Sequence, residues 1–171
     1  GERLKLDANS RISLSNNDSG GTGGEDSLSA NTLFGYLAGN AIASGGVNNT
    51  LIGHESGKAI TIGDHNTVVG TNALLTDDVG QKSTAIGSYA LGLQNISSEG
   101  ITGNTGIGYA AGYNNTTGTN NTMVGYNAGA GSGGDSNSNN TAVGKNALTV
   151  VTTGGSNVAI GSGASAALTT A

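Results

Sequence analysis

The chain has 171 residues, including 32 glycines but no proline, cysteine or tryptophan, and a formal net charge of −5. Only 10% of residues are charged and 4% aromatic, so a conventional core of large side chains is not expected. Sparse Lys and Arg argue against nucleic-acid binding, the lack of cysteine removes disulfides and thiolate metal sites, and no apolar run reaches the roughly 18 residues of a membrane span.

Residues 1–24 differ in composition from the rest. Leu4 and Leu6 alternate with charged residues, Asp7-Ala8-Asn9-Ser10 carries turn chemistry, and Ile12 and Leu14 alternate with serine. This predicts a pair of short strands acting as a cap or as a junction to a preceding segment, since the end of a repeat array needs covering. Gly20 to Gly24 then forms a break. The sequence from Gly1 carries no signal-peptide pattern and reads as a fragment or a processed product.

Residues 25–171 read as one repeat domain. The pattern [Asn/Ser]-Thr-x-[Phe/Ile/Val]-Gly-x-x-[Ala/Ser] begins at Asn31, Asn49, Asn66, Ser83, Asn104, Asn121, Asn140 and Asn157, with Val158 replacing the threonine in the last copy. Its glycines are Gly35, Gly53, Gly70, Gly87, Gly108, Gly125, Gly144 and Gly161, separated by steps of 18, 17, 17, 21, 17, 19 and 17. One preferred length with occasional insertions is the mark of stacked coils with variable outer loops. Seventeen residues are too few for a helix pair, whereas a Thr-x-Val/Ile run ending in glycine suits a short strand and a tight turn. The fold class is therefore all-β: a parallel β-solenoid or β-roll of about eight 17-residue coils, closing as strand-turn-strand-turn, in a rod on the order of 38 Å long.

Two adjacent columns of the repeat are apolar. The x position holds Leu33, Leu51, Val68, Ala85, Gly106, Met123, Ala142 and Ala159, and the next holds Phe34, Ile52, Val69, Ile86, Ile107, Val124, Val143 and Ile160. Neighbours in a strand face opposite ways, so one column can fill the coil while the other needs a second cover, for which another copy of the chain is the natural source. Ile107 and its column are expected to form the core. The insertion in the longest step lies near Gln94 to Glu99, and shortening it around Ile96 to Glu99 is expected to be tolerated. The recurring asparagine suits either a side-chain ladder between coils or a local turn role.

Asn-Thr-Ala-Val-Gly-Lys-Asn-Ala at Asn140 to Ala147 and Ser-Thr-Ala-Ile-Gly-Ser-Tyr-Ala at Ser83 to Ala90 resemble the head repeats of trimeric autotransporter adhesins. They resemble still more closely the Asn-Thr-Ala-x-Gly-Tyr-x-Ala repeats of bacteriophage tail fibres, whose spacers also look like Asn114-Asn115-Thr116-Thr117-Gly118. The resemblance covers Asn31 to about Ala167. It implies a left-handed parallel β-roll with three chains packed around one axis, and so a homotrimer.

Chemistry-bearing motifs are sparse. Gly161 to Ala166 matches the dinucleotide fingerprint GxGxxA, but it is the eighth repeat copy and no acidic residue follows it. Asp64, Asp77 and Asp78 are candidates for a structural cation, and His54 and His65 read as solvated loop positions. No nucleophile, base and acid are spaced for catalysis, so no catalytic, cofactor or metal residue is assigned and no enzyme is expected. Tyr36, Tyr109 and Tyr126 share the position after the repeat glycine, with Tyr89 one further on and Tyr113 following a coil. Their alignment suits a stacking ladder that stabilises the turn, the favoured reading. Tyr36, Tyr109 and Tyr126 are at the same time candidate glycan contacts.

The expected function is a structural fibre module of a bacteriophage tail fibre, giving a stiff shaft or head for attachment to a host receptor or cell-surface glycan. Its location would be the virion tail fibre, or otherwise the extracellular medium or a cell surface. The alternatives are the head of a bacterial trimeric surface adhesin and a self-stacking extracellular filament subunit. An ice-binding solenoid is a weaker alternative, because the threonine column lacks a Thr-x-Thr pair.

Overall fold

The structure, a computed structural model, describes residues 12–13, 30–42 and 45–166. It is an all-β parallel solenoid of about seven turns, with no helix among the described residues. Eight repeat strands bound those turns: β2 (Thr32–Phe34), β3 (Thr50–Ile52), β4 (Thr67–Val69), β6 (Thr84–Ile86), β8 (Thr105–Ile107), β9 (Thr122–Val124), β10 (Thr141–Val143) and β11 (Val158–Ile160). Each pairs in parallel with the next, threonine opposite threonine except where Thr141 faces Val158, and the register survives the longer steps: Thr84 faces Thr105 across the longest. Insertions therefore leave the ladder as loops rather than shifting it. At the N-terminal edge, β1 (Ile12–Ser13) pairs antiparallel with β2. The remainder of the expected N-terminal strand pair lies outside the described residues.

A strand on the far side of each coil was also expected, and it is largely absent. Among the described residues, β5 (Gly80–Gln81) and β7 (Gly100–Ile101) form a second, two-stranded sheet, and Asn115 and Asp135 form an isolated parallel bridge. Elsewhere the circuit closes through turns, because each coil bends at left-handed residues such as Asn48, Glu55, Asn120 and Asn127. Asn is among the few side chains that tolerate that conformation.

The x column, not the Phe/Ile/Val column, fills the coil. Leu33, Leu51, Val68, Ala85, Met123, Ala142 and Ala159 are buried, whereas Phe34, Ile52, Ile86, Ile107 and Ile160 are exposed. The expectation that Ile107 belongs to the coil interior is thus corrected. The interior is thin and its volume is shared with the residue six positions further on. Large Leu33, Leu51 and Met123 face Gly39, Gly57 and Gly129, while small Ala85 and Ala142 are matched by Leu91 and Leu148. The match is tight: a Cβ on Gly57 would stand 2.9 Å from Leu51 Cδ2. At Gly106, where no side chain enters, Leu91 occupies the space, its Cγ 2.9 Å from where a Cβ would be. Close packing of this kind makes the interior sensitive to single methylene groups.

The asparagines satisfy the backbone of two coils at once. Asn49 donates Nδ2 to Gly63 O at 2.9 Å within its own turn, and its Oδ1 accepts the N–H of Asn66 in the next coil at 2.9 Å. Asn31, Asn66, Asn104, Asn121 and Asn140 repeat the arrangement. The ladder is mainly side chain to backbone, with amide-to-amide bonds added where Asn121 donates to Asn104 at 3.1 Å and Asn157 to Asn140 at 3.0 Å, and it joins the local and the inter-coil roles. Buried polar groups gain little from such bonds but lose heavily without them.

Candidate functional site

The repeat glycines define where neighbouring coils touch. Gly125 has φ +134°, and a Cβ there would lie 2.7 Å from both C and O of Gly144 in the next coil. The other repeat glycines, Gly35, Gly53, Gly70, Gly87, Gly108, Gly144 and Gly161, share the positive φ, between 122° and 141°. At Gly161 nothing lies within 4 Å, because no described coil follows it. Any other residue at these positions would be strained by its own backbone and, except at Gly161, would also clash.

Strand alternation that sends the x column inward sends two others outward, the threonines and the Phe/Ile/Val column. Phe34, Ile52, Ile86, Ile107 and Ile160 are 52%, 36%, 37%, 36% and 69% exposed, with Val69, Val124 and Val143 half-buried between them. Parallel in-register pairing stacks these side chains directly above one another. The result is an unbroken apolar column along the solenoid.

Beyond the repeat glycine lies the tyrosine position. Tyr109 and Tyr126 stack with ring centroids 5.3 Å apart and an interplanar angle of 14°. Tyr36 is not brought to them. It stacks instead on His54 at 5.3 Å, near the other end of the solenoid. Tyr89 and Tyr113, not among the candidate glycan contacts read from the sequence, complete the cluster: Tyr89 meets Tyr109 and Tyr113 edge-on, each at 6.0 Å. With Asn114, Asn127 and Thr149, the four tyrosines line a cleft of about 640 Å³. Aligning the spacers on the repeat glycine could have revealed Tyr113, whose counterparts in the flanking coils are the small residues Gly92 and Ala130. A Cβ on Gly92 would stand 2.8 Å from the Tyr113 ring.

Asp77 serves a turn, Asp64 joins two coils, and Asp78 accepts from Thr61 through its backbone carbonyl while its Oδ1 is buried without a hydrogen-bond partner. Asp64 Oδ1 accepts the N–H of Val47 at 3.1 Å, and Asp77 Oδ1 accepts that of Gly80 at 3.1 Å. Burial pushes the Asp77 carboxyl above the usual range, opposed by donation from Gln94 and Gly80. Among the described residues no group of three or more His, Cys, Asp or Glu could hold a metal ion. His54 is exposed against Tyr36, and exposed His65 meets Asn48 Nδ2 through Nε2 at 3.3 Å. Gly161 to Ala166 is a turn after β11, without the helix that a dinucleotide site requires. Among the described residues, no helix is long and apolar enough to cross a membrane.

No family model matches the chain, and neither curated proteins nor solved structures give a match.

Proposed function

We propose that the chain is a module of a bacteriophage tail fibre: a non-enzymatic solenoid, trimeric in its working state, that forms a stiff shaft or head for attachment to a host receptor. The observation that carries this reading is the outward apolar column from Phe34 to Ile160. A continuous exposed apolar surface of this kind marks an interaction face. Its period is that of the coil, so the surface best able to match it over its whole length is another copy of itself. Threefold packing around that column agrees with the resemblance of the repeat to tail-fibre sequences, and a rod held by inter-coil ladders suits a mechanical role.

The reading is tested by small-angle X-ray scattering combined with limited proteolysis. The expected particle is elongated, has three times the mass of the chain, and resists cleavage across residues 30–166. A compact monomer that is cut readily within the repeats would overturn the proposal.

A further inference from the structure

The cleft formed by Tyr89, Tyr109, Tyr113 and Tyr126 is neither required by the solenoid nor repeated along it. The position of Tyr109 is occupied in other coils by Thr71, Ser88 and Lys145, and those coils close in the same way. A second groove between equivalent columns, near the N-terminal end, is lined instead by Glu55 and Lys58, which pair with each other at 2.9 Å. The solenoid thus tolerates an ion pair, small polar residues or tyrosines along this edge. The concentration of four tyrosines on three consecutive coils calls for a role other than turn stability.

We propose that this cleft binds a neutral, pyranose-containing saccharide. The proposal deepens the attachment reading, on which it rests for its biological setting. Tyr109 and Tyr126 are 48% and 51% exposed and form a parallel two-ring wall. The negative faces of aromatic rings attract the polarised C–H groups on the flat side of a sugar ring. Hydroxyl groups around that ring need both donors and acceptors at the cleft margin: the amide of Asn127 offers both, Asn114 keeps its Oδ1 and a second Nδ2 hydrogen beside its bond to Gly131 O, and Thr149 Oγ1, donating to Asn146 O, can accept. Room for the ligand comes from small residues: Ala110 stands where other coils carry Leu37, Glu55 or Asn72. The volume falls within the range of small-ligand sites.

Charge narrows the class. No charged side chain lines the cleft, and the chain carries a formal net charge of −5. An anionic saccharide would find no cation among the lining residues and an unfavourable overall field, the nearest cation in the tyrosine column being Lys145 one coil beyond Tyr126. The cleft also begins two residues beyond Ile107, past the edge of the apolar column that the fibre reading places between chains.

The test is titration of the full chain with neutral glucan, mannan and galactan oligosaccharides, beside sialyllactose and oligogalacturonate as anionic counterparts. Tyrosine fluorescence reports the site directly, since the chain has five tyrosines and no tryptophan and four of the five line the cleft. Saturation-transfer NMR provides a second readout. The expected result is saturable binding of at least one neutral oligosaccharide, weakened about tenfold by Tyr109→Ala and unchanged by Tyr36→Ala. Tyr126→Ala serves the same purpose should Tyr109→Ala lower the yield of folded protein. Binding of anionic saccharides alone, absence of saturable neutral binding, or full retention of affinity in Tyr109→Ala and Tyr126→Ala would each overturn the proposal. Sedimentation of the same samples separates the two readings: an intact trimer without saccharide binding refutes the cleft and leaves the fibre.

Discussion

Gln94 takes up the role of the asparagine that is missing at Ser83. Its Nε2 donates to Ser83 Oγ at 3.0 Å, and its Oε1 accepts from Asn104 Nδ2 at 2.8 Å, bridging two coils where the ladder would otherwise break. The same amide contacts Asp77 Oδ2. Gln94 stands seven residues past its repeat glycine, where other coils carry Ile60 and Asn115, and makes the same turn bond as they do, so it belongs to the regular coil and precedes the extra residues from Ile96 to Glu99.

Gln94→Ala should lower stability by about 1–3 kcal/mol, because it leaves Asp77 and Asn104 short of buried partners. Adding Ser83→Asn should restore part of the loss by rebuilding the regular ladder. Thermal unfolding of the single and double variants tests this. Equal melting temperatures for wild type and Gln94→Ala would show that the bridge contributes nothing.

Gly125 and Gly161 have similar backbones but different surroundings, and this separates strain from collision. Gly161→Ala should cost only the conformational penalty, on the order of 1–3 kcal/mol. Gly125→Ala should cost distinctly more, since its Cβ would stand 2.7 Å from the carbonyl of Gly144. Chemical denaturation of the two variants provides the comparison. Equal losses would mean that coil-to-coil approach places no demand on the glycine.

The burial of Asp77 predicts a pH dependence. A carboxyl whose folded pKa lies above its ordinary 3.8 binds more protons folded than unfolded. Its contribution therefore improves as pH falls through the raised value, levels off below 3.8, and is lost as pH rises again. The expected observation is a component of the stability profile that slopes downward as pH rises above 3.8 and flattens in Asp77→Asn. An identical slope in the variant would contradict the assignment.

Much of the fold was legible because each coil repeats the same backbone problem. The Asn-Thr-x-Φ-Gly phase, where Φ is Phe, Ile or Val, marks the ladder, the strand and the point of close approach. Which apolar column points inward was not legible. Ala85, Gly106 and Ala142 look less suited to a core than Ile86, Ile107 and Val143, yet the thin interior takes the small residues because Leu91 and Leu148 supply the missing volume from six positions away or from the adjacent coil. Gln94 was hidden for a related reason: its partner is eleven residues distant and its role exists only because Ser83 breaks the pattern. Tyr113 was hidden because its approach to Tyr89 depends on the turns between repeats.

Inward and outward columns should respond differently to the same substitution. Leu51→Asn places an amide inside the coil and should unfold the chain, since loss of a buried aliphatic group alone costs about 2–5 kcal/mol. Ile107→Asn should leave the circular dichroism of the coil intact and weaken association instead. Loss of the native spectrum in Ile107→Asn under conditions where the wild-type chain is a folded monomer would reverse this assignment.

The central claim is that the outward apolar column is covered by two further copies of the chain. Sedimentation equilibrium of the wild-type protein at micromolar concentration tests it most directly. The account predicts a single species of three times the 16.5 kDa chain mass, shifted toward monomer by Ile107→Asn. A stable, folded 16.5 kDa monomer across that concentration range would contradict it.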